Sequence, residues 1–237
     1  MTRLSDIWVY LAASPLLHLT LTLVAYQIGL AINQAARFNP LFNPVLIAVA
    51  ILVALLTAAG VSYQTYFAGA QFVHFLLGPA TVALAVPLYR QLARLRQAWF
   101  AVLTGLLVGS AVAAGSAIAI ARALGVSPGI VASLAPKSVT APVAMAVSQK
   151  LGGAPSLTAV VVMLTGVLGA MLGPPLLDLL RVRDPAARGL AMGVASHGIG
   201  TARALQESET AGAFSGLAMG LNALATSILL PLAWALM

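Results

Sequence analysis

One lysine stands in the wrong solvent. Lys137 lies in Ser133-Leu134-Ala135-Pro136-Lys137-Ser138-Val139-Thr140-Ala141-Pro142, inside a chain that is apolar almost from end to end. An ammonium is costly in hydrocarbon, so a lysine at membrane depth reads first as a functional site. Pro136 and Pro142 bracket it and predict a broken helix with freed backbone groups. A half-helix restarting just after Pro136 would present unsatisfied N–H groups and a partial positive charge, which attract anions. Ser138 and Thr140 add hydroxyl donors. A second start of this kind is predicted after Pro79, where Thr81 adds another. Together these groups suit the carboxylate of a small substrate. The plainer alternative is a lysine that snorkels to an interface and prolines that only shape a kink.

A second constellation is Ala195-Ser196-His197-Gly198-Ile199-Gly200-Thr201-Ala202-Arg203. An imidazole beside a glycine break could relay a proton or donate to a bound anion, with Thr201 next to it. Gly198 and Gly200 would let backbone approach a ligand closely. The alternative is a histidine hydrogen-bonded inside the bundle. Arg203 has Glu207 four residues later, so a helical ion pair accounts for it without a ligand. Asn222, near the middle of the last apolar segment, is a candidate polar contact, although a helix-to-helix hydrogen bond is simpler. His18 and His74 read as packed histidines. No zinc-ligand spacing, phosphate loop or catalytic triad is present, so no metal, cofactor or enzymatic activity is expected.

The elements that must position these groups are membrane helices. Charged residues are 7% of the chain and apolar ones 61%, against roughly 25% charged in a soluble domain, and mean hydropathy is +1.00. The apolar residues fall in runs near the roughly 17–25 residues of a spanning helix, not in alternating strands. The net charge of +7 comes mostly from arginines between apolar runs, which read as topology signals and not as a nucleic-acid surface. No cysteine is present, which excludes disulfides and thiolate chemistry. No cleavable leader is evident at the start.

Cap-proline pairs mark helix starts at Ser14-Pro15, Asn43-Pro44, Ser127-Pro128 and Asp184-Pro185. Continuous helices are predicted at about 14–33, 43–60, 98–121, 155–180 and 211–236, and interrupted ones at 63–92, 127–150 and 186–206. Gly105-x-x-x-Gly109 and Gly216-x-x-x-Gly220 read as close helix packing. Leu77-Gly78-Pro79-Ala80-Thr81-Val82 aligns with Leu134-Ala135-Pro136-Lys137-Ser138-Val139. Leu103-Thr104-Gly105 aligns with Leu164-Thr165-Gly166. Such weak internal symmetry is typical of transporters built from paired halves. Re-entry of 63–92 and 127–150 would put the arginines of 90–96 and 181–188 on one side, as the positive-inside rule prefers. The expected fold is an all-α polytopic bundle with inverted repeats and broken or re-entrant helices, one domain over 1–237.

These stretches resemble a known family. The run from Leu77 to Tyr89, the run from Ser133 to Thr140 and the run from Ala195 to Ala202 are similar to signatures of the LrgB/CidB membrane protein family, over nearly the whole chain from Ser14. The resemblance implies two kinds of function. Bacterial members are labelled antiholin-like regulators of murein hydrolase export, acting with a smaller LrgA-type partner. The plant plastid member, where both parts are fused, exchanges glycolate and glycerate, and bacterial pairs are tied to pyruvate uptake. Residues and resemblance together predict a secondary transporter of small monocarboxylates in the bacterial inner membrane. Lys137 would hold the carboxylate, Thr81, Ser138 and Thr140 would help, and His197 would couple protons. The alternative is the antiholin-like regulator. The need for an LrgA-type partner and the formation of a homodimer are left open.

Overall fold

The computed structural model describes residues 15–36, 42–76 and 85–236, with Pro79, Val82 and Ala83 between them. The helices are α1 (Pro15–Ala35), α2 (Pro44–Ala58), α3 (Tyr63–Phe75), α4 (Ala85–Arg90), α5 (Leu92–Ala123), α6 (Pro128–Leu134), α7 (Ala141–Lys150), α8 (Pro155–Leu179), α9 (Pro185–Glu207) and α10 (Glu209–Ala235). Among the described residues there is no strand. α1, α5, α8 and α10 are long and apolar enough to cross a membrane. Two of the predicted caps close as expected: Asn43 Oδ1 accepts from the N–H groups of Val45 and Leu46, and an Asp184 carboxylate oxygen accepts from Ala187 N–H. Ser14, Thr81 and the Gly78-Pro79 break lie wholly or partly outside the described residues.

The chain divides into two compact units, Met1–Ala83 and Leu84–Met237. In the first, α1 packs on α2 and α3 through close backbone contacts. A Cβ on Gly29 would lie 2.5 Å from Pro44 O, and one on Gly69 would lie 2.8 Å from His18 Cβ. His18 is buried against the edge of Tyr66, whose hydroxyl bonds Thr22 at 2.8 Å. His18 is therefore a packed histidine. Tyr66 is thus part of this polar contact.

In the second unit, α6 and α7 form a hairpin. A Cβ on Gly129, at the start of α6, would lie 3.4 Å from Gly152 O, just past the end of α7. Ser133 Oγ fastens the pair by accepting from Ala154 N–H at 2.8 Å. Twenty-three residues of straight helix would separate Gly129 from Gly152 by about 35 Å, so the chain goes in and comes back. The sequence expectation of a re-entrant 127–150 holds.

α9 is also re-entrant, which the sequence reading did not assign. Arg188, in its first turn, bonds Glu207 at its end through Nε at 2.9 Å, where a straight helix would hold them about 28 Å apart. The reversal is at His197, whose backbone is at φ 42°, ψ −133°. Glu207 is thus held by Arg188, and the expected Arg203–Glu207 pair does not form: Arg203 Nη1 donates to Gln206 at 3.1 Å instead. The fold-back delivers a residue nineteen positions away, and this overrides the local i, i+4 spacing.

The two hairpins enter from opposite ends. The open end of α9 meets the start of α5 through Arg94–Asp184 and the end of α8 through Arg188–Asp178, while Arg90 meets the start of α10 at Glu209. The open end of α6–α7 lies between the end of α5 and the start of α8, on the side where Arg122 covers Trp234 at the end of α10. α7 is ten residues long and each arm of α9 ten to twelve, so with their open ends at the membrane surface both tips would reach about 15–18 Å deep, near the middle of a hydrocarbon core about 30 Å thick. The glycines Gly105 and Gly109 fit the packing role assigned from sequence, facing Leu190 and Val194 of α9, whereas a Cβ on Gly220 would meet open space.

Because Arg90, Arg94, Arg181, Arg183 and Arg188 cluster at one end and Arg122 and Lys150 at the other, the richer end should face the cytoplasm. Single cysteines placed at 90–97 and at 181–188 should both resist an impermeant thiol reagent in intact cells. Labelling of one loop and protection of the other would contradict the arrangement.

Candidate functional site

The turn 135–140 joins the two arms of the first hairpin. Pro136 has no N–H to give the Ala132 carbonyl, and α6 ends at Leu134. The next half-helix begins at Ala141 and not just after Pro136 as expected. The reason is Thr140, extended at ψ 144°, with a proline following within the first two helical positions, which suits a helix start. Thr140 makes no side-chain cap bond, so the first N–H groups of α7 carry no intramolecular side-chain acceptor.

Lys137 sits in this turn, half-buried, tied through its backbone N–H to Leu134 O at 3.2 Å. Among the described residues its ammonium has no carboxylate partner. Asp178, Asp184, Glu207 and Glu209 are all paired with Arg90, Arg94 or Arg188 at one end of the unit. Ser138 beside it is buried, and its carbonyl accepts from Asn222 Nδ2 at 3.4 Å.

Below the turn is a cavity of about 10 Å³, room for roughly one water. Its polar wall is Ser110 of α5, Ser138, and Asn222 and Thr226 of α10. The Ser110 and Thr226 hydroxyls lie 3.3 Å apart. Sequence reasoning passed over both. The signal was available on α10, where Ser215, Asn222 and Thr226 follow at seven and four residues, a polar stripe on an apolar helix. Lys137 is not part of the cavity wall.

The bend of the second hairpin falls on His197 itself, not on the glycines. Its φ and ψ lie in a region that side-chain-bearing residues rarely adopt and that costs about 1–3 kcal/mol. The ring is buried, with Nε2 3.0 Å from Val162 O of α8. Gly166 makes the room, since a Cβ there would lie 2.6 Å from His197 Cε1. Gly200 serves hairpin closure, because its Cβ would lie 2.6 Å from Met192 O on the opposite arm. Gly198 is exposed, with only Met219 Sδ at 3.8 Å from an added Cβ. Thr201 is satisfied internally by His197 O at 2.9 Å and the Ser215 hydroxyl at 3.0 Å.

The sequence candidates thus fall into groups. Ser138 and Asn222 are in contact, and Lys137 and Thr140 share their turn. His197, Gly200 and Thr201 build the second tip, which reaches the first through Asn222. Arg203 lies toward the base of the returning arm. Pro79 is exposed in the other unit.

A family model described as the LrgB-like family matches residues 22–236. The chain belongs to the LrgB-like family. Curated relatives include the uncharacterized protein YxaC of Bacillus subtilis (strain 168), 42% identical over 172 residues, 73% of this chain and 75% of that one. An uncharacterized Haemophilus influenzae protein is 39% identical over 72% of this chain and 74% of its own. The antiholin-like protein LrgB of Bacillus cereus (strain B4264) is 29% identical over 92% of this chain and 95% of its own. No solved structure matches. With four helices among the described residues long and apolar enough to span, and with bacterial LrgB relatives, this family member is a multi-pass bacterial membrane protein.

The strain at His197 can be measured. His197→Ala and His197→Gly both lose the ring and its bond to Val162, but only glycine is relaxed at this backbone conformation. The glycine variant should therefore be the more stable of the two, by about 1 kcal/mol after its greater unfolded-state entropy is counted. Equal melting temperatures, or a more stable alanine variant, would show that the bend is unstrained.

Proposed function

We propose that the protein is a secondary transporter of small monocarboxylates of the glycolate, glycerate or pyruvate class. The observation that carries the reading is Lys137, an ammonium near mid-membrane with no carboxylate partner among the described residues, beside the uncapped start of α7. Such a group is costly to keep unless a ligand anion completes it. Ser138 and Thr140 would donate with it, and the cavity wall at Ser110 and Thr226 would receive the rest of the molecule. A space for one water is too small for a three-carbon acid, so entry would require the hairpin tips to part. Two tips reached from opposite ends suit alternating access.

The internal symmetry belongs to the same proposal. An offset of 61 pairs Leu103-Thr104-Gly105 with Leu164-Thr165-Gly166, and it also pairs Pro136 with His197. α5 with the first hairpin would then be the inverted counterpart of α8 with the second. His197 would take the coupling proton on Nδ1, since Nε2 is engaged with Val162 O. The check on that role is whether the pH dependence of uptake is lost in His197→Gln.

The name antiholin-like protein LrgB, borne by the Bacillus cereus relative, favours the second reading, an antiholin-like regulator, for which the family resemblance implies an LrgA-type partner. A regulator has no need of an unpaired lysine at this depth. Its partner, or a second copy of this chain, would have to meet it through lipid-facing surface.

Calorimetric titration of glycolate, glycerate and pyruvate into the purified protein separates the two. Lys137→Met should weaken binding by about 10- to 150-fold, the worth of one charge-assisted hydrogen bond. Lys137→Arg should also be impaired, because a planar fork does not replace a compact ammonium. Wild-type affinity in a folded Lys137→Met protein, or no binding to any of the acids, would remove the carrier reading.

A further inference from the structure

Asn222 lies between the two hairpin tips. Its Nδ2 donates to Val194 O at 3.0 Å and to Ser138 O at 3.4 Å. Val194 O is the carbonyl that residue 198 would serve in an unbroken helix. The reversal at His197 interrupts the helix at that point, and the asparagine amide donates to the carbonyl there. Ser138 O belongs to the turn of the other hairpin. Asn222 is 1% exposed, so bulk water does not compete for either bond.

We infer that Asn222 is a positioning residue that couples the two tips. The hairpins enter from opposite ends and are carried by different helices, yet both are held by the two N–H bonds of one nitrogen. Among the described residues Asn222 Oδ1 has no partner. The amide is therefore oriented by its donors alone, and a shift of one carbonyl turns the group that holds the other. A carboxyl of the same size, kept neutral by burial, would offer one O–H at most and could not serve both carbonyls at once, and leucine would fill the space without donating. The inference rests on hairpin geometry, and it holds whether the protein carries a substrate or regulates a partner.

The chain has no cysteine, so Gly198→Cys, at an exposed position on the second tip, is a clean reporter. Pro136→Ala perturbs the first tip. Thiol-labelling rates of the Gly198→Cys protein in lipid nanodiscs are compared with and without Pro136→Ala, once with Asn222 and once with Asn222→Leu. Coupling through the amide predicts that Pro136→Ala alters the rate about threefold or more when Asn222 is present and leaves it nearly unchanged in Asn222→Leu. Asn222→Asp, isosteric but with one O–H at most once burial keeps it neutral, cannot bridge both carbonyls, so it should behave like the leucine variant and replaces it if leucine prevents folding. Equal changes in every background, or no change in any, would overturn the inference.

Discussion

Backbone N–H and C=O groups that lack partners cost several kcal/mol each in hydrocarbon. That constraint governs both hairpins. A helix that reverses at mid-membrane abandons the last carbonyls of its entering arm and the first N–H groups of its returning arm, and side chains must help to hold the bend. Asn222 of α10 takes the Val194 carbonyl, and the Thr201 hydroxyl, one turn beyond the bend, joins the His197 carbonyl to the Ser215 hydroxyl of α10. Each satisfied carbonyl ties a tip to another part of the unit. The second tip is consequently fixed against α8 on one side, through His197 and Val162, and against α10 on the other. The bends can exist at this depth because α5, α8 and α10 enclose them.

Charge is distributed by the same rule. The described carboxylates are gathered at one end with three arginines, at the level where the re-entrant arms of α9 begin and finish. Most of these pairs are exposed, and as isolated contacts each would contribute little, about 0–1 kcal/mol. Arg188 differs, being largely buried while it bonds Asp178, Glu207 and the Val182 carbonyl. It closes the base of the hairpin as His197 forms its tip. Lys137 stands apart from this network, which makes its ammonium available for a ligand in the carrier reading.

Much of the helix plan was legible because its signals are local. Proline after a cap residue located the starts of α2 and α9, and hydropathy located the four spanning helices. The depth and unusual chemistry of Lys137 were visible from composition alone. A break at residues 197–200 was legible, but the reversal of α9 was not, because a positive φ on His197 has no local sequence signal and the ring's seat between Val162 and Gly166 exists only once α8 is packed against it. Arg203 and Glu207 have ideal helical spacing, but Glu207 binds a partner that only the fold-back supplies. Ser110 and Thr226 were missed because a serine and a threonine in a membrane helix can satisfy themselves on the preceding turn, so their convergence on one cavity emerges only when α5 and α10 are packed together.

The central claim is that this chain, by itself, moves small carboxylates between two sides of a membrane. Uptake of radiolabelled glycolate, pyruvate and lactate into liposomes holding only the purified protein tests it directly. The account predicts saturable uptake that rises when the same acid is loaded inside and is absent for an uncharged solute of similar size. Flux no greater than in protein-free liposomes, or a leak that admits the uncharged solute equally, would contradict it.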